Sequence, residues 1–364
     1  SDKRWYKLFG FKRRDIKEEI EQRHCNLALA IQKVTEEIVI KMATEAKRIT
    51  NSDYLCMAGG VALNAVANGK LLREKIFMDI YIQPAAGDAG GALGAALAAN
   101  FMYFDEKRII NSHIDSMCGT YLGPCFSEKE INRMNKNVSA VYERYADFNK
   151  LSEFIAGKVA EGHVIGWFQG RMEFGPRALG NRSIIADPRN PDMQKALNIR
   201  IKNREGFRPF APSVILEDVS DYFELNETSP YMLIVAPVKE ERRNALPNGY
   251  HELPLWEKLY FTRSDIQSVT HIDFTARIQT VSKVMNPRFW QLINEFKRKT
   301  GYGLVINTSF NVRGEPIVCT PHDAYRCFMT TDINYLVIEN FVYCKTEQTD
   351  WENKSKWSLK FNED

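Results

Sequence analysis

The chain has 364 residues, of which 44% are hydrophobic and 26% charged. That is ordinary for a folded protein; it excludes disorder over most of the length, collagen and simple coiled coil, and suits two domains or one large α/β domain. Its 49 basic and 46 acidic residues leave a net charge of +3, too small to point to nucleic acid, and its apolar runs are too short for a membrane span.

Residues 1–22 are charge-rich and read as irregular or short-helical. Leu27, Ile31, Val34, Ile38 and Met42 then recur at intervals of three and four, with Glu36, Glu37 and Lys41 between them, which predicts a long amphipathic helix. The apolar run Tyr54 to Ala58 predicts a buried strand closed by Gly59-Gly60, with a helix from about Ala62. Residues 79–83 predict another strand, and Gly87-Asp88-Ala89-Gly90-Gly91 then opens an Ala-rich helix to about Phe101. Strand, glycine turn and helix, twice over, is the grammar of an α/β nucleotide-binding domain. Residues 105–150 are mixed and read as a connector. Beyond them come a helix near 149–161 and β-like runs at His163–Phe168, Ser183–Ala186, Ser213–Leu216, Met232–Val238, Leu304–Ile306 and Tyr335–Val342. A helix near Pro287–Lys299 completes a mixed α/β domain, and the polar stretch 347–364 is expected to fray.

The seven cysteines are odd in number and form no CxxC pair. Such usage suits a reducing cytosol, with most of them expected to be small buried hydrophobes, and no apolar leader follows the first four residues. A cytoplasmic location is therefore expected. The six histidines show neither HxxxH nor HExxH spacing, so no self-contained histidine metal site is visible.

Four stretches have the residue types of a site. In Ala58-Gly59-Gly60-Val61-Ala62-Leu63-Asn64, a diglycine between strand and helix lets backbone N–H groups approach a ligand, beside the positive end of a helix. Asp88, within its glycine-rich turn, is a candidate oxygen ligand for a divalent metal, or simply an N-cap. Residues 166–213 hold nine basic and four acidic side chains, a local +5 on a nearly neutral chain. Arg171, Arg177 and Arg208 adjoin Gly or Pro, whose restricted or permissive turns aim the guanidinium. Clustered arginines suit a small polyanion such as ATP, because the guanidinium fork matches phosphate oxygens. Finally Asn307-Thr308-Ser309-Phe310-Asn311 follows a strand end, where short polar side chains either bind ligands or cap turns.

Together GGVALN, GDAGGALGAA, GRMEFGPRALGNRSI, NIRIKNREGFRPFAPS and NTSFN-x-x-GEPIV, in this order from about Ile20 to Cys344, resemble the O-carbamoyltransferase family of nodulation-factor and antibiotic-tailoring enzymes. The resemblance implies an α/β chain in two parts. Residues 1–122 would be the C-terminal part of an actin-like (ASKHA) ATPase-type domain, 123–150 a connector, 151–346 a YrdC-like domain and 347–364 a tail. It also implies that carbamoyl phosphate and ATP give carbamoyl adenylate in the YrdC-like domain, and that the carbamoyl group then passes to a hydroxyl of a sugar or other small molecule. Carried over by motif, Arg177, Lys202 and Arg204 would be catalytic. Arg171, Arg208, Ser309 and Asn311 would hold carbamoyl phosphate and the nucleotide phosphates. Gly59, Gly60 and Asn64 would cradle nucleotide in the transferase part, where Asp88 would bind a divalent metal, magnesium or iron. No nucleic acid or membrane partner is implied.

The family is usually longer at its N-terminus, where it carries an HxxxH metal motif that this chain lacks. An N-terminal half or a second copy of the chain is therefore an expected partner. Two other functions share these features: a threonylcarbamoyl-type tRNA-modification protein, and a non-catalytic nucleotide-binding module.

Overall fold

The computed structural model describes residues 2–15, 18–109 and 115–349. The N-terminal part runs α1 (Asp2–Phe9), α2 (Gln22–Thr50), β1 (Tyr54–Met57), α3 (Ala65–Arg73), β2 (Asp79–Ile82) and α4 (Ala89–Ala98). β1 and β2 pair in parallel, Leu55 opposite Ile80, and a small core of Val39, Ile40, Ala43, Leu71 and Phe77 ties them to α2 and α3. The glycine turn after β1 is a 3₁₀ turn, Gly60–Leu63, and Asn64 caps α3 by accepting from the Ala67 N–H at 3.1 Å.

Two expectations change here. β1 alternates exposed and half-buried residues, because only one of its faces meets α2 and α3. The predicted stripe of α2 is present, but Ile31, Val34, Ile38 and Met42 are all exposed. The flank bearing Val39, Ile40 and Ala43 takes the seat on the β1–β2 pair instead.

The stretch read as a connector holds α5 (Glu128–Asn137) and β3 (Glu143–Arg144). Ser127 and Glu130 form a capping box that starts α5, a signature present in the sequence. Next come α6 (Phe148–Ala160), β4 (Ile165–Phe168), β5 (Arg182–Ala186), α7 (Met193–Ala196), β6 (Ala211–Ile215), α8 (Val219–Tyr222) and β7 (Ile234–Pro237). They are followed by α9 (Leu255–Tyr260), β8 (Thr275–Val281), α10 (Pro287–Thr300), β9 (Leu304–Ser309), α11 (Pro321–Thr330), β10 (Tyr335–Ile338) and β11 (Phe341–Cys344). Nine strands form one mixed sheet in the order β3-β11-β10-β4-β5-β9-β6-β8-β7.

Strand alternation builds a core on each face of this sheet. Trp167, Ile185, Val305 and Val337 point one way, against Ile155 and Val159 of α6 and Phe289 and Phe296 of α10. Phe168, Ile184, Ile306 and Leu336 point the other way, toward Ile131 of α5 and Phe328 of α11. Among the described residues no helix is long and apolar enough to cross a membrane. All seven cysteines are free, and only Cys327 is buried. The expectation that most are core residues is corrected: Cys56, Cys118 and Cys125 are exposed.

The two parts meet along α3 and β7. Asn68, buried in α3, donates to the carbonyls of Ala62 (2.8 Å) and Leu233 (3.0 Å), and Arg73 reaches the Val235 carbonyl at 3.1 Å. Gly69 touches β7 so closely that a Cβ there would lie 1.9 Å from the Val235 oxygen. Alanine at this position therefore has to push the helix off the sheet despite its better helix propensity. Gly69→Ala is expected to cost about 1–3 kcal/mol by the ordinary scale of overpacking, read as a lowered denaturant midpoint at unchanged m-value.

Candidate functional site

A cavity of about 400 Å³ opens at this seam. One wall is the start of α3, with Leu63, Ala65 and Val66. The opposite wall comes from the loop between β4 and β5 (Arg177), the segment before β6 (Arg204, Arg208), β8 (Arg277) and the end of β9 (Asn307, Thr308, Ser309). The N-terminal end of α3 adds the positive end of its dipole.

The loop is held by chemistry written in the string EFGPRALGNRS. Glu173 is buried, and its Oε1 accepts from the backbone N–H groups of Leu179 (2.7 Å), Asn181 (2.8 Å) and Arg182 (3.3 Å). Burial pushes its carboxyl pKa up, against the nearby Arg182 charge. Arg182, with no exposed surface, donates to the carbonyls of Gln169, Asn181, Pro124 and Gly170 at 2.8–3.2 Å. Its guanidinium lies 3.5 Å over the centre of the Phe168 ring, and burial lowers its pKa to about 10. Gly180, at φ +107°, sits against Phe289, whose ring a Cβ would meet at 2.2 Å. The loop's shape thus fixes Arg177 over the cavity.

The arginine-rich window therefore divides by task. Arg182 builds the loop. Arg189 pairs with Asp187 at 2.6 Å, and Arg171 is exposed and donates to the Leu122 carbonyl at 2.8 Å, away from the cavity lining. Arg177, Arg204 and Arg208 line the cavity. Arg208 is paired with Glu205 at 3.1 Å, whereas Arg204 bonds only the neutral Asn198 Oδ1, at 2.7 Å, and lies over Phe210. Among the described residues no carboxylate lies within ion-pair distance of Arg177, Arg204 or Arg277. The Arg177 Nε and the Asn307 Oδ1, both buried, have no hydrogen-bond partner there.

Burial lowers the pKa of Arg177, of Arg204 with help from Arg208, and of Arg277 with help from Arg177 and Arg204. Arginine keeps its charge at neutral pH, so this unfavourable crowding is relieved by an anion rather than by deprotonation.

Lys202 is placed behind the wall. Fully desolvated, it donates to Ser309 (carbonyl and Oγ) and to the carbonyl and Oδ1 of Asn311, at 2.9 and 3.0 Å for the last two. Ser309 Oγ bonds Asn311 Oδ1 at 2.7 Å, and Asn311 Nδ2 bonds the Glu315 carbonyl at 2.7 Å. Ser309 lines the cavity, while Lys202 and Asn311 hold its turn.

Burial, then the Arg204 charge, pushes the Lys202 pKa down to about 7. A pKa depressed from 10.5 penalises the charged folded state below about pH 7, a cost relieved as pH rises from there toward 10.5. A bound anion works in the opposite direction, because it favours the ammonium. Sulfate, whose charge is constant over this range, is expected to bind severalfold more weakly as pH passes upward through 7. The same titration on Lys202→Met should be flat, and a drop that persists in that variant would refute the assignment.

The other predicted positions lie apart from these. Gly59 and Gly60 are exposed in the turn after β1, and the Gly59 N–H is bonded to the Ala86 carbonyl. Asn64 is occupied as the α3 cap and by a reciprocal pair of bonds to Gln32 at 2.9 and 3.2 Å. Asp88 is exposed at the start of α4 without a capping bond. No group of three or more His, Cys, Asp or Glu side chains suited to a metal occurs among the described residues.

Arg277 was not anticipated from the sequence. Its strand reads Thr-Ala-Arg-Ile-Gln-Thr-Val, and the interspersed Arg277 and Gln279 hide the alternation of Ala276, Ile278 and Thr280. The signal was the period-two pattern Ala276, Ile278, Thr280.

A profile described as the carbamoyltransferase C-terminus matches residues 156–345, which contain every arginine of the cavity. This chain belongs to the carbamoyltransferase family. The profile for the carbamoyltransferase N-terminus matches residues 1–97. An uncharacterised protein of Synechocystis sp. is 52% identical, over 100% of this chain and 59% of its own length. Nodulation protein NolNO of Sinorhizobium fredii is 41% identical over 91% of this chain and 46% of its own. The 3'-hydroxymethylcephem-O-carbamoyltransferase of Amycolatopsis lactamdurans is 29% identical over 90% of this chain and 56% of its own. The chain thus spans about half the length of the curated relatives it matches.

Proposed function

We propose that the arginine cavity activates a carbamoyl group for transfer to a hydroxyl acceptor, using carbamoyl phosphate and ATP. The observation that carries this reading is a set of three arginines, from three separate segments, lining one cavity with no carboxylate at ion-pair distance among the described residues. That is a demand for several negative charges, as on a triphosphate.

In the proposed step, water releases phosphate from carbamoyl phosphate, and an oxygen of the resulting carbamate attacks the α-phosphorus of ATP. Pyrophosphate leaves with the electron pair of the broken P–O bond, giving carbamoyl adenylate. Arg177, Arg204 and Arg277 would neutralise the charge that builds on the departing pyrophosphate. Ser309, at the cavity edge, would orient an equatorial phosphate oxygen, with Lys202 and Asn311 holding it in place. Attack by an acceptor hydroxyl on the carbamoyl carbon would then expel AMP. The name of the cephem carbamoyltransferase supports a small-molecule hydroxyl as acceptor.

A divalent cation would enter with the nucleotide phosphates; Asp88 alone does not make a resident metal site here, and no step is assigned to it. The test is pyrophosphate release by the chain with ATP and Mg²⁺, with and without carbamoyl phosphate, in the absence of acceptor. Release that requires carbamoyl phosphate is expected. Release independent of it would mean simple nucleotide hydrolysis and would sink the adenylation step.

A further inference from the structure

Beside the arginine cavity lies a second one of about 330 Å³, the size at which small-molecule pockets begin. Its chemistry is the opposite. Ile20, Phe207, Leu255, Trp256, Leu259 and Ile272 supply its walls. The one cationic side chain there among the described residues, Arg263, is committed to the protein, donating to the carbonyls of Lys258, Leu259, Thr270 and His271 at 2.9–3.2 Å. Ser268 is likewise engaged, with the Asn190 carbonyl at 2.6 Å. What remains for a ligand is a carbon surface with aromatic side chains at hand.

The two cavities share a wall, because His271 and Pro209 line both. His271 Nδ1 is fixed 3.0 Å from Thr275 Oγ1. Burial lowers its pKa to about 4, so the shared wall is neutral at physiological pH. An uncharged hollow and a cationic hollow on either side of one imidazole match a ligand with the same division.

We propose that the Trp256 cavity binds an uncharged ring system, and that one ligand carrying such a ring and a phosphate-type anion lies across both cavities over His271. The second clause rests on the reading of the arginine cavity as an anion site.

The test uses three probes, titrated calorimetrically against the whole chain: 1-naphthol, inorganic phosphate, and 1-naphthyl phosphate, which joins the two. The joined probe is expected to bind at least about tenfold more tightly than either part, since the second contact becomes intramolecular. Trp256 and Ile272 are each about half exposed (48% and 50%), so their replacement leaves the core intact. Trp256→Ala and Ile272→Asp should both weaken naphthol and naphthyl phosphate and leave phosphate unchanged. Arg277→Gln should weaken phosphate and naphthyl phosphate and leave naphthol unchanged.

Naphthol binding indifferent to both Trp256→Ala and Ile272→Asp would overturn the ring site. Naphthol binding at Trp256 without any gain from the attached phosphate would overturn the bridge. Failure of phosphate to bind, with Trp256-dependent naphthol binding intact, would refute the anion reading and the bridge while supporting the ring site.

Discussion

Arg177→Gln and Arg277→Gln are each expected to lower carbamoyl-phosphate-dependent pyrophosphate release by roughly 100-fold or more, the usual scale for removing one preorganised group that meets charge in the transition state. Both side chains line the cavity, and neither has a carboxylate at ion-pair distance among the described residues. Each crowds other guanidiniums, as the depression of Arg277 by Arg177 and Arg204 shows. Removing either should therefore leave thermal stability of the ligand-free chain unchanged or raise it. This pairing of lost activity with retained stability separates a ligand-binding arginine from a structural one. A fall in both would mean that the side chain holds the fold, and the assignment would fail.

Arg182→Met should give the opposite pattern. It removes a donor from four carbonyls, of which those of Asn181 and Pro124 keep a backbone N–H, and takes away the positive charge that acts against the raised Glu173 pKa. Leaving buried polar groups without their hydrogen bonds costs about 1–3 kcal/mol each. The variant should unfold at markedly lower denaturant, and the loss should shrink when Glu173→Gln is added, because the stranded carboxylate is then gone. A double variant no more stable than Arg182→Met alone would show that Glu173 and Arg182 do not act together.

The contrast between these arginines shows what one-dimensional reading can and cannot do. Charge and neighbouring residues marked Arg171, Arg177, Arg182, Arg189, Arg204 and Arg208 alike as basic positions in one window. Only folding sorts them: Arg171 and Arg182 find backbone carbonyls, Arg189 and Arg208 find Asp187 and Glu205, and Arg177 and Arg204 are left lining the cavity. Helices with strong periodicity, α2, α6 and α10, and most strands of the large sheet were legible from apolar spacing. The orientation of α2 was not: periodicity reports that a helix has an apolar side, not that this side meets a core, and Ile38 and Met42 are exposed. β8 was missed because its buried face includes Gln279, whose side-chain bonds to Ser213 (2.5 Å), Asn307 (2.8 Å) and the Leu179 carbonyl (2.8 Å) exist only in the folded sheet. Arg277 was lost with it. The motif strings marked Lys202, Ser309 and Asn311 alike as ligand contacts, but their bonding to one another and their division into a cavity residue and two supporting ones required the turn to be seen.

The central claim, that a polyphosphate anion is held by Arg177, Arg204 and Arg277 at the seam of α3 and the large sheet, is tested most directly by calorimetric titration of pyrophosphate into the chain at pH 6.5–7, roughly the point at which Lys202 begins to lose its proton. The prediction is one saturable site, abolished in Arg177→Gln and in Arg277→Gln, whose folded baselines match the parent. Unchanged pyrophosphate binding in both variants would contradict it.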